Sequence, residues 1–350
     1  MTTEFNSYPF STSNPDTPDM VWTGLNPDEA REALVRKDKS KRDKRTSLKE
    51  AVDAFIKDGD NVAVGGFVNI RQPVAIAHEM IRHGFQDLTL SFQSGGMAID
   101  YLGGAMALAP DHFSFKRVEL AYWAHESFGL SSIFRYLAEN GLVELEDWSN
   151  YNMSARFKAG SMGLPFIPCR SPMGSDILKR CRAKVVECPF TGRPIVLLPA
   201  SNPNVAVIHV QAADPYGNCI IRGTDATCPE MAMAAAHTIV TCEQLVSHEL
   251  ITRSPKEITI PFFAVDAVVH VPFGAYPSSC RRHYYFNKDH IATFHALATL
   301  LHKGNPGGLK AYYEDYIFGN HTFQDFIDRF PVRKLLEEQL SESENYERLA

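Results

Sequence analysis

The amino-acid sequence predicts an α/β fold: a doubly wound, mostly parallel sheet with helices on both faces, followed by a C-terminal cluster of helices. Short apolar runs typical of buried strands alternate with amphipathic helical segments between Ser47 and Cys242. Such alternation is typical of parallel sheets whose crossover helices cover both faces. From His290 onward the apolar spacing is helical throughout.

Local signals place the first helix and the first strand. Ser47–Glu50 fits a capping box, and apolar residues between Leu48 and Ile56 recur at helical spacing. Asp58-Gly59-Asp60 ends this helix. The apolar run that follows predicts a strand over Asn61–Phe67.

The second helix is predicted to begin at Pro73 and to end near His83, with Gly84 as its C-cap. Leu88–Gln93 is the second predicted strand, and Ser94-Gly95-Gly96 turns from it into another helix. Further strands, with helices between them, are predicted near Arg117–Trp123, Ala183–Glu187, Ile195–Leu198, Val205–Val210 and Ile239–Cys242.

Composition and charge narrow the function classes. The 350 residues are 45% hydrophobic and 22% charged with a formal charge of −6, which favours neither nucleic acid nor an anionic membrane as a partner. No apolar run approaches the length of a membrane span, and the N-terminus lacks a secretory pattern. Seven scattered cysteines without a Cys-x-x-Cys pair favour a reduced, cytoplasmic location, with some of them as core thiols.

The chain is predicted to have two parts. Residues 1–45 form a polar and basic N-terminal extension, and residues 46–350 form one domain whose residues 290–350 are helical. Seven basic residues lie between Arg36 and Arg45. We interpret this charge run as a solvated arm leading into the first helix, in preference to a site for an anionic partner.

Several common enzyme motifs are missing. The glycines at Gly65-Gly66 and Gly95-Gly96 do not fit a dinucleotide fingerprint, and neither a Walker A lysine nor a Gly-x-Ser-x-Gly elbow occurs. His78 and His83 are five residues apart, roughly 140° round a helix, whereas a zinc-binding pair needs a spacing of four. We predict an amphipathic surface helix there and no metal site.

Glycine-bearing turns are instead the main candidates for a site. They are Gly65-Gly66, Gly95-Gly96, Gly174-Ser175-Asp176, Asp214–Asn218 and Gly274–Pro277. Nearly all follow predicted strands, whose carboxyl ends are where open α/β sheets bind ligands. Glycine there allows a ligand to approach backbone N–H groups that can hold a carbonyl oxygen or an oxyanion.

The stretch DGDNVAVGGFVNIRQP, Asp58–Pro73, resembles the α-chain signature of the family I coenzyme A transferases. That signature runs from an acidic or amide residue and glycine through three apolar residues to Gly-Gly-Phe, then Gly-x-Pro. Arg71 stands where the general signature has the glycine of Gly-x-Pro. With arginine at this position, the stretch resembles one branch of the family. That branch holds the A subunits of glutaconate CoA-transferases and the steroid-ring-cleaving CoA hydrolases. Co-linear segments that resemble the same branch include Asp87-Leu88-Thr89, Gly163–Pro168, Met173–Asp176, Ala213–Asn218 and Val271–Ala275.

The resemblance implies a fold shared with ribose-phosphate isomerase-like proteins and association with a β subunit, usually as α2β2. It implies transfer of CoA between an acyl-CoA and a carboxylic acid. A glutamate of the β subunit is the expected nucleophile and carries a glutamyl-CoA thioester. No permanently bound cofactor is expected, since the coenzyme A thioester is the substrate.

One motif in this chain is similar to the sequence around the family's nucleophile. Glu139-Asn140-Gly141 resembles the Glu-Asn-Gly surroundings of the catalytic glutamate. Ile133, Tyr136 and Leu137 nevertheless form a helical face, so Asn140-Gly141 is typical of a helix C-cap. The nucleophile is therefore expected on the partner chain.

The candidate site residues of this chain follow from the turns and from the resemblance. Gly65 and Gly66 are expected to present backbone at the thioester, and Arg71 to pair with a substrate carboxylate or a CoA phosphate, unless it is a surface arginine. His125 and Ser127 are candidates for the acyl pocket, and Glu126 is the candidate for any catalysis by this chain itself. The remaining candidates for substrate or CoA binding are Phe67, Asn69, Gly95, Gly96, Asn150, Gly174 and Ser175.

Two other functions remain open from the sequence. A CoA-dependent carbon–carbon hydrolase of a steroid ring-cleavage pathway would use acidic groups of the α chain. Asn150 lies near the position where the resemblance to such hydrolases implies an acidic residue, and an amide cannot act as a general base. A non-catalytic ligand-binding or regulatory protein of the same fold would be stable and monomeric alone. The sequence favours the transferase and identifies neither the acyl group nor the acceptor acid.

Overall fold

The computed structural model describes residues 22–347. Its main sheet has eight strands in the order β11-β10-β8-β1-β2-β3-β4, with β9 antiparallel on β8 and every other pairing parallel. These strands are β1 Asn61–Val64, β2 Leu88–Gly95, β3 Phe115–Trp123, β4 Glu144–Asp147, β8 Val205–Ala213, β9 Cys219–Ile220, β10 His237–Leu245 and β11 Ala267–His270. The predicted doubly wound sheet is confirmed.

A second, smaller sheet was not predicted. Three strands pair antiparallel in the order β5-β7-β6; they are β5 Phe166–Cys169, β6 Lys184–Glu187 and β7 Pro194–Pro199. The prediction that Ala183–Glu187 and Ile195–Leu198 belong to the alternating parallel sheet is therefore wrong. A tight turn in which Cys188 N donates to Arg193 O joins the two strands, which leaves no room for a crossover helix.

Helices cover both faces of the main sheet and close the C-terminal end of the described chain. The bounds are α1 Pro27–Arg36, α2 Leu48–Phe55, α3 Val74–His83, α4 Met97–Leu108, α5 Ser132–Glu139, α6 Asn150–Ser161, α7 Cys228–Ala234, α8 His248–Ile251, α9 Lys288–His302, α10 Gly307–Tyr313, α11 Phe323–Ile327 and α12 Val332–Glu347. The last four form the predicted C-terminal cluster. Among residues 22–347, no helix combines the length and apolar character that crossing a bilayer requires.

The strand residues alternate between two cores. Val62 and Val64 pack into the core shared with α2–α5 and the C-terminal helices. Ala63, between them, packs into the core shared with α6, α7 and the small sheet. Alternate residues of a strand point to opposite faces, so a sheet buried on both sides is apolar or small at most positions, and its buried polar residues need hydrogen-bond partners.

The α2 and α3 boundaries follow the local sequence signals. Ser47 and Glu50 form the predicted capping box, and Gly84 ends α3 at φ 87°. The surroundings of α3 differ from the prediction, because every residue from Val74 to Ile81 is buried. The interpretation of this segment as a surface helix is wrong, and His78 lies among the rings of Tyr101, Phe323 and Phe326.

The basic segment before α2 is docked on the domain. Helix α1 precedes it, Lys37 pairs with Asp266 at 2.7 Å, and Lys44 Nζ donates to Phe262 O at 2.6 Å. Burial lowers the pKa of both lysines, although Asp266 opposes this. The prediction of a wholly solvated arm is therefore wrong for these two residues, while residues 1–21 of the predicted extension lie outside the described part.

All seven cysteines lie within the described residues as free thiols, and six of them are buried. Burial raises the pKa of Cys181 to about 11 and that of Cys242 to about 12. These thiols stay protonated at neutral pH and pack as small apolar groups. This confirms the prediction that some of them are core thiols.

Candidate active site

The turn after β1 is built by hydrogen bonds to itself and to the neighbouring strand end. Phe67 N donates to Ile70 O at 2.9 Å, and Ile70 N donates back to Phe67 O at 2.8 Å. Val68 N donates to Ser94 O at 3.1 Å, which ties the turn to the carboxyl end of β2. The sheet order changes direction at β1, since β2 lies on one side and β8 on the other. Such a switch point is the usual ligand crevice of an open α/β sheet.

The main chain packs so closely around this turn that only glycine fits at two positions, Gly66 and Gly96. A Cβ on Gly66, at φ 87°, would lie 2.7 Å from Arg71 O, and a Cβ on Gly96 would lie 1.8 Å from Val68 O. The N–H groups of the glycine pair are also engaged. Gly65 N donates to Val207 O at 2.9 Å and Gly66 N to Cys228 Sγ at 3.4 Å. The geometry thus differs from the expectation that both N–H groups face a thioester.

Arg71 is fully buried, with no exposed side-chain surface. Its Nη1 donates to His209 O at 3.0 Å and its Nη2 to Thr224 O at 2.7 Å. A guanidinium that binds a substrate carboxylate or a CoA phosphate needs access to the ligand. The expected pairing is therefore not supported by this geometry, because Arg71 joins the turn to β8 and to the loop after β9.

A cavity of about 540 Å³ opens in front of this turn. It brings together four of the predicted site residues, Phe67, Asn69, Glu126 and Ser127. The other lining residues are Val68, Ile70, Arg222, Thr224, Ser279, Arg281, Tyr285, Phe286 and Glu342. A cavity of similar size, about 550 Å³, lies beside α1 and is lined by none of the predicted site residues.

Sequence reasoning missed the basic side of the cavity. Gln211 on β8 is buried, accepts from Arg222 N at 3.0 Å, and donates to Arg222 O at 3.0 Å and to Arg281 O at 3.4 Å. This amide therefore holds two loops that carry arginines beside the cavity. The run Ser278–Tyr285, with two adjacent arginines after a glycine-bearing turn, is a signal that could have drawn attention to Arg281.

The three predicted residues after β3, His125, Glu126 and Ser127, lie in different surroundings. His125 is fully buried, and its Nε2 lies 2.6 Å from Asp100 Oδ2. Glu126 and Ser127 are exposed at the start of a short 3₁₀ turn, where Glu126 has φ 40°. His125 thus lies behind the cavity wall, whereas the two residues that follow line it.

The remaining predicted residues lie outside the cavity lining. Gly95 and Gly96 are buried where β2 enters α4, and Asn150 Oδ1 accepts from Ser94 Oγ at 3.0 Å. Gly174 and Ser175 lie between β5 and β6, where Ser175 Oγ donates to Pro172 O at 2.8 Å. These residues shape the surrounding turns, and their predicted contact with a ligand stays a prediction.

Glu139 closes α5, as its sequence context predicts. Asn140 is the C-cap and Gly141 follows at φ 64°. The carboxylate lies 2.9 Å from Arg135 Nη2 and 3.4 Å from His302 Nε2 on the surface. Glu139 does not line the cavity.

One buried cluster has the donor types of a metal site. Ligand atoms of His209, Glu243 and Cys280 lie within 4.8 Å of one another. Glu243 already accepts from His209 Nε2 at 2.7 Å, from Tyr284 OH at 2.5 Å and from Phe273 N at 2.8 Å. Burial, and then the charge of Glu243, raises the pKa of Cys280 well above 9.0. A neutral thiol and a fully bonded carboxylate are poor metal ligands, so hydrogen bonding accounts for the cluster.

Comparison with known proteins agrees with this fold. The coenzyme A transferase family model matches residues 45–271. The chain is 32% identical to the A subunit of 3-oxoadipate CoA-transferase from Pseudomonas knackmussii, over 80% of this chain and 95% of that protein. It is 30% identical to the A subunit of glutaconate CoA-transferase from Acidaminococcus fermentans, over 83% of this chain and 92% of that protein. The crystal structure of the Acidaminococcus fermentans enzyme superimposes with a TM-score of 0.77 at 28% identity, over 84% and 94% of the two chains.

Proposed function

This chain belongs to the coenzyme A transferase family as an α-type subunit, and we propose that it moves CoA between an acyl-CoA and a free carboxylic acid together with a β-type partner. The observation that carries the proposal is the cavity of about 540 Å³ in front of the turn after β1. The family's signature motif forms one wall of this cavity, at the switch point of the sheet. Both relatives are named as one subunit of a larger enzyme, which supports a partner chain.

We propose that the nucleophile is a glutamate of the partner subunit. Its carboxylate oxygen attacks the thioester carbonyl carbon, the C–S bond breaks, and CoA leaves as the thiolate from an acyl–glutamyl anhydride. The thiolate then attacks the glutamyl carbonyl, which releases the acid and leaves a glutamyl-CoA thioester. The acceptor carboxylate reverses the two steps, so neither an oxidant nor a net proton is needed.

Four carboxylates of this chain are poorly placed to act as the nucleophile, which supports a nucleophile from the partner. Glu119 is 2.8 Å from Arg156 Nη1 and Glu243 is 2.7 Å from His209 Nε2, and both are buried. Glu139 lies away from the cavity in a surface ion pair. Glu126 lines the cavity but is exposed, without a buried partner to orient it. None of these four carboxylates is both oriented and open to the cavity. Glu342 also lines the cavity, and its Oε1 accepts from Arg282 N at 2.9 Å, so the experiment has to distinguish it from a glutamate of the partner.

Two arginines line the cavity and could bind an anionic ligand. Arg222 and Arg281 share the wall with Ser127 and Ser279 and with the acidic Glu126 and Glu342, and Arg222 Nη2 lies 2.9 Å from Glu257 Oε2. Guanidinium groups bind carboxylates and phosphates through charge-assisted hydrogen bonds. Acyl carboxylates and the phosphates of CoA both carry the required charge.

A trapping experiment tests the proposal. The chain is co-expressed with a β-type CoA-transferase subunit, and the complex is incubated with succinyl-CoA or acetyl-CoA and then reduced with borohydride. Mass spectrometry is expected to find one glutamate of the partner reduced to the alcohol. Glutaconate and 3-oxoadipate, taken from the names of the relatives, are the first acceptor acids. Size-exclusion chromatography with light scattering measures whether the complex is α2β2.

Two controls make the result decisive. Incubation with free CoA should leave both chains unmodified, and the E139Q variant should be labelled on the partner like the wild type. Label on any glutamate of this chain, including Glu126, Glu139 and Glu342, would contradict the proposal. Product formed by water without labelling of either chain would also contradict it and would favour a CoA-dependent hydrolase.

A further inference from the structure

Asn69 is a cavity-lining residue whose main chain is fixed by a neighbouring loop. Its carbonyl oxygen accepts from Ser279 N at 2.7 Å and from Ser279 Oγ at 2.8 Å. Its side chain lies at the cavity wall, with Oδ1 3.3 Å from Nδ1 of His125. The position of the amide thus depends on the residue behind it.

Behind Asn69, a buried carboxylate fixes the ring of His125. Asp100 Oδ2 lies 2.6 Å from His125 Nε2. Its Oδ1 accepts from Trp123 Nε1 and from Ser131 Oγ, each at 2.6 Å. An indole nitrogen can only donate, so Oδ1 of Asp100 serves as an acceptor, while its Oδ2 holds the His125 ring in place.

This arrangement sets which way the Asn69 amide faces. Asn69 Oδ1 lies toward Nδ1 of the His125 ring, so the Nδ2 of this cavity-lining side chain lies on the other side of the amide, away from the ring. His125 has no exposed surface and does not line the cavity, so it contacts the ligand space only through Asn69.

We propose that Asn69 Nδ2 donates a hydrogen bond to the oxygen of the thioester carbonyl as it becomes an oxyanion, and that His125 and Asp100 are positioning residues for this amide. This inference rests on the proposed function. The N–H groups of Gly65 and Gly66 donate to Val207 O and Cys228 Sγ, so the side chain of Asn69 takes the part that the glycine backbone was expected to play. Donors that are fixed before reaction stabilise developing charge most effectively.

The test uses the complex with the β-type partner and measures the single-turnover rate of labelling of the partner's glutamate. N69D keeps the shape of the side chain but replaces the donor by an acceptor. N69A removes both. Both variants are expected to label about 100-fold more slowly than wild type, the typical cost of one lost oxyanion donor. In steady-state assays of CoA transfer by the same complex, the KM for the acyl-CoA should change far less than kcat. The reason is that the hydrogen bond from Asn69 is stronger in the transition state than in the bound substrate.

A double-mutant cycle tests the positioning role. H125Q alone should slow labelling by roughly 10-fold, and H125Q should have no further effect when added to N69A. Additive losses on a logarithmic scale would overturn the positioning role. If H125Q fails to assemble, S131A, which removes one donor to Asp100, replaces it in the same cycle.

The outcomes separate this inference from the proposed function. A wild-type complex that is never labelled contradicts the proposed function itself. A labelled wild type with N69D or N69A labelled at the wild-type rate overturns only the role of Asn69. A variant with a raised KM and an unchanged kcat would also overturn the role of Asn69. Such a result would show that Asn69 binds the substrate and the transition state equally well.

Discussion

Arg71 Nη1 donates to the main-chain oxygen of His209 at 3.0 Å, across the switch point of the sheet. The second guanidinium nitrogen donates to Thr224 O at 2.7 Å. One buried side chain therefore joins the turn after β1, the middle of β8 and the loop after β9. The cavity wall depends on the relative placement of these three segments.

Replacing Arg71 is expected to destabilise the protein before it affects ligand contacts. R71M leaves the oxygen of the buried His209 without this donor and also removes the bond to the exposed residue Thr224, at a cost of about 1–3 kcal/mol in the free energy of unfolding. Urea unfolding measures the change. R36M is the control, because within residues 22–347 Arg36 pairs only with the exposed Glu32, and its effect should be within about 0.5 kcal/mol. An R71M protein of wild-type stability with weakened substrate binding would restore the ligand role expected from the sequence.

Two glycines with left-handed backbone offer a matched comparison. A Cβ on Gly66 meets Arg71 O at 2.7 Å and Gln72 Nε2 at 2.9 Å, whereas a Cβ on Gly129, at φ 93°, meets nothing within 4 Å. G129A should cost about 1 kcal/mol from backbone strain alone. G66A should cost clearly more and should lower the activity of the complex, because the turn has to shift. Equal effects of the two variants on stability would show that the turn adapts without cost.

The buried pair of Glu119 and Arg156 is expected to be sensitive to the loss of either partner. Arg156 Nη1 lies 2.8 Å from Glu119 Oε2, and its guanidinium stacks 4.3 Å from the ring centroid of Trp148. R156M should cost about 3–5 kcal/mol in the free energy of unfolding, because it leaves an uncompensated buried carboxylate. Adding E119Q should recover part of this loss. Strictly additive losses in urea unfolding would contradict the coupling.

His290 makes stability depend on pH. Burial lowers its pKa from the usual 6.5 to about 4, and its Nε2 lies 2.6 Å from Tyr312 OH. Below pH 6.5 the unfolded chain takes up a proton that the folded chain does not, so this stabilisation is present above pH 6.5 and is lost toward pH 4. The loss over this window is about 3 kcal/mol. Chemical unfolding of H290Q should show a correspondingly weaker pH dependence.

The exposed His321 is the control for this measurement. H321Q should retain the pH dependence of the wild type. His78 is a second buried histidine whose pKa burial holds well below 6.5, so some pH dependence should remain in H290Q. If the free energy of unfolding of H290Q depended on pH as strongly as that of the wild type, the loss of stability between pH 6.5 and pH 4 could not be assigned to His290.

Much of the fold was readable from the sequence because its signals are local. The capping box at Ser47, the C-cap at Gly84 and the apolar run of β1 depend on residues within a few positions of each other. The helix that ends at Glu139 was recognised from the same kind of signal, which identified its Glu-Asn-Gly as a helix end. The small antiparallel sheet was missed because strand direction depends on pairing between distant segments.

For the candidate site, the sequence by itself predicted a turn, the Gly65–Pro73 motif at the end of β1, and named Asn69, Glu126 and Ser127, which line one cavity in front of it. Only the tertiary structure decided what each side chain does there. It buried Arg71 against His209 O, placed His125 behind Asn69, and brought Arg222, Arg281 and Glu342 to the cavity. These roles depend on contacts between residues far apart in the chain, which hydrophobic periodicity and local motifs do not encode.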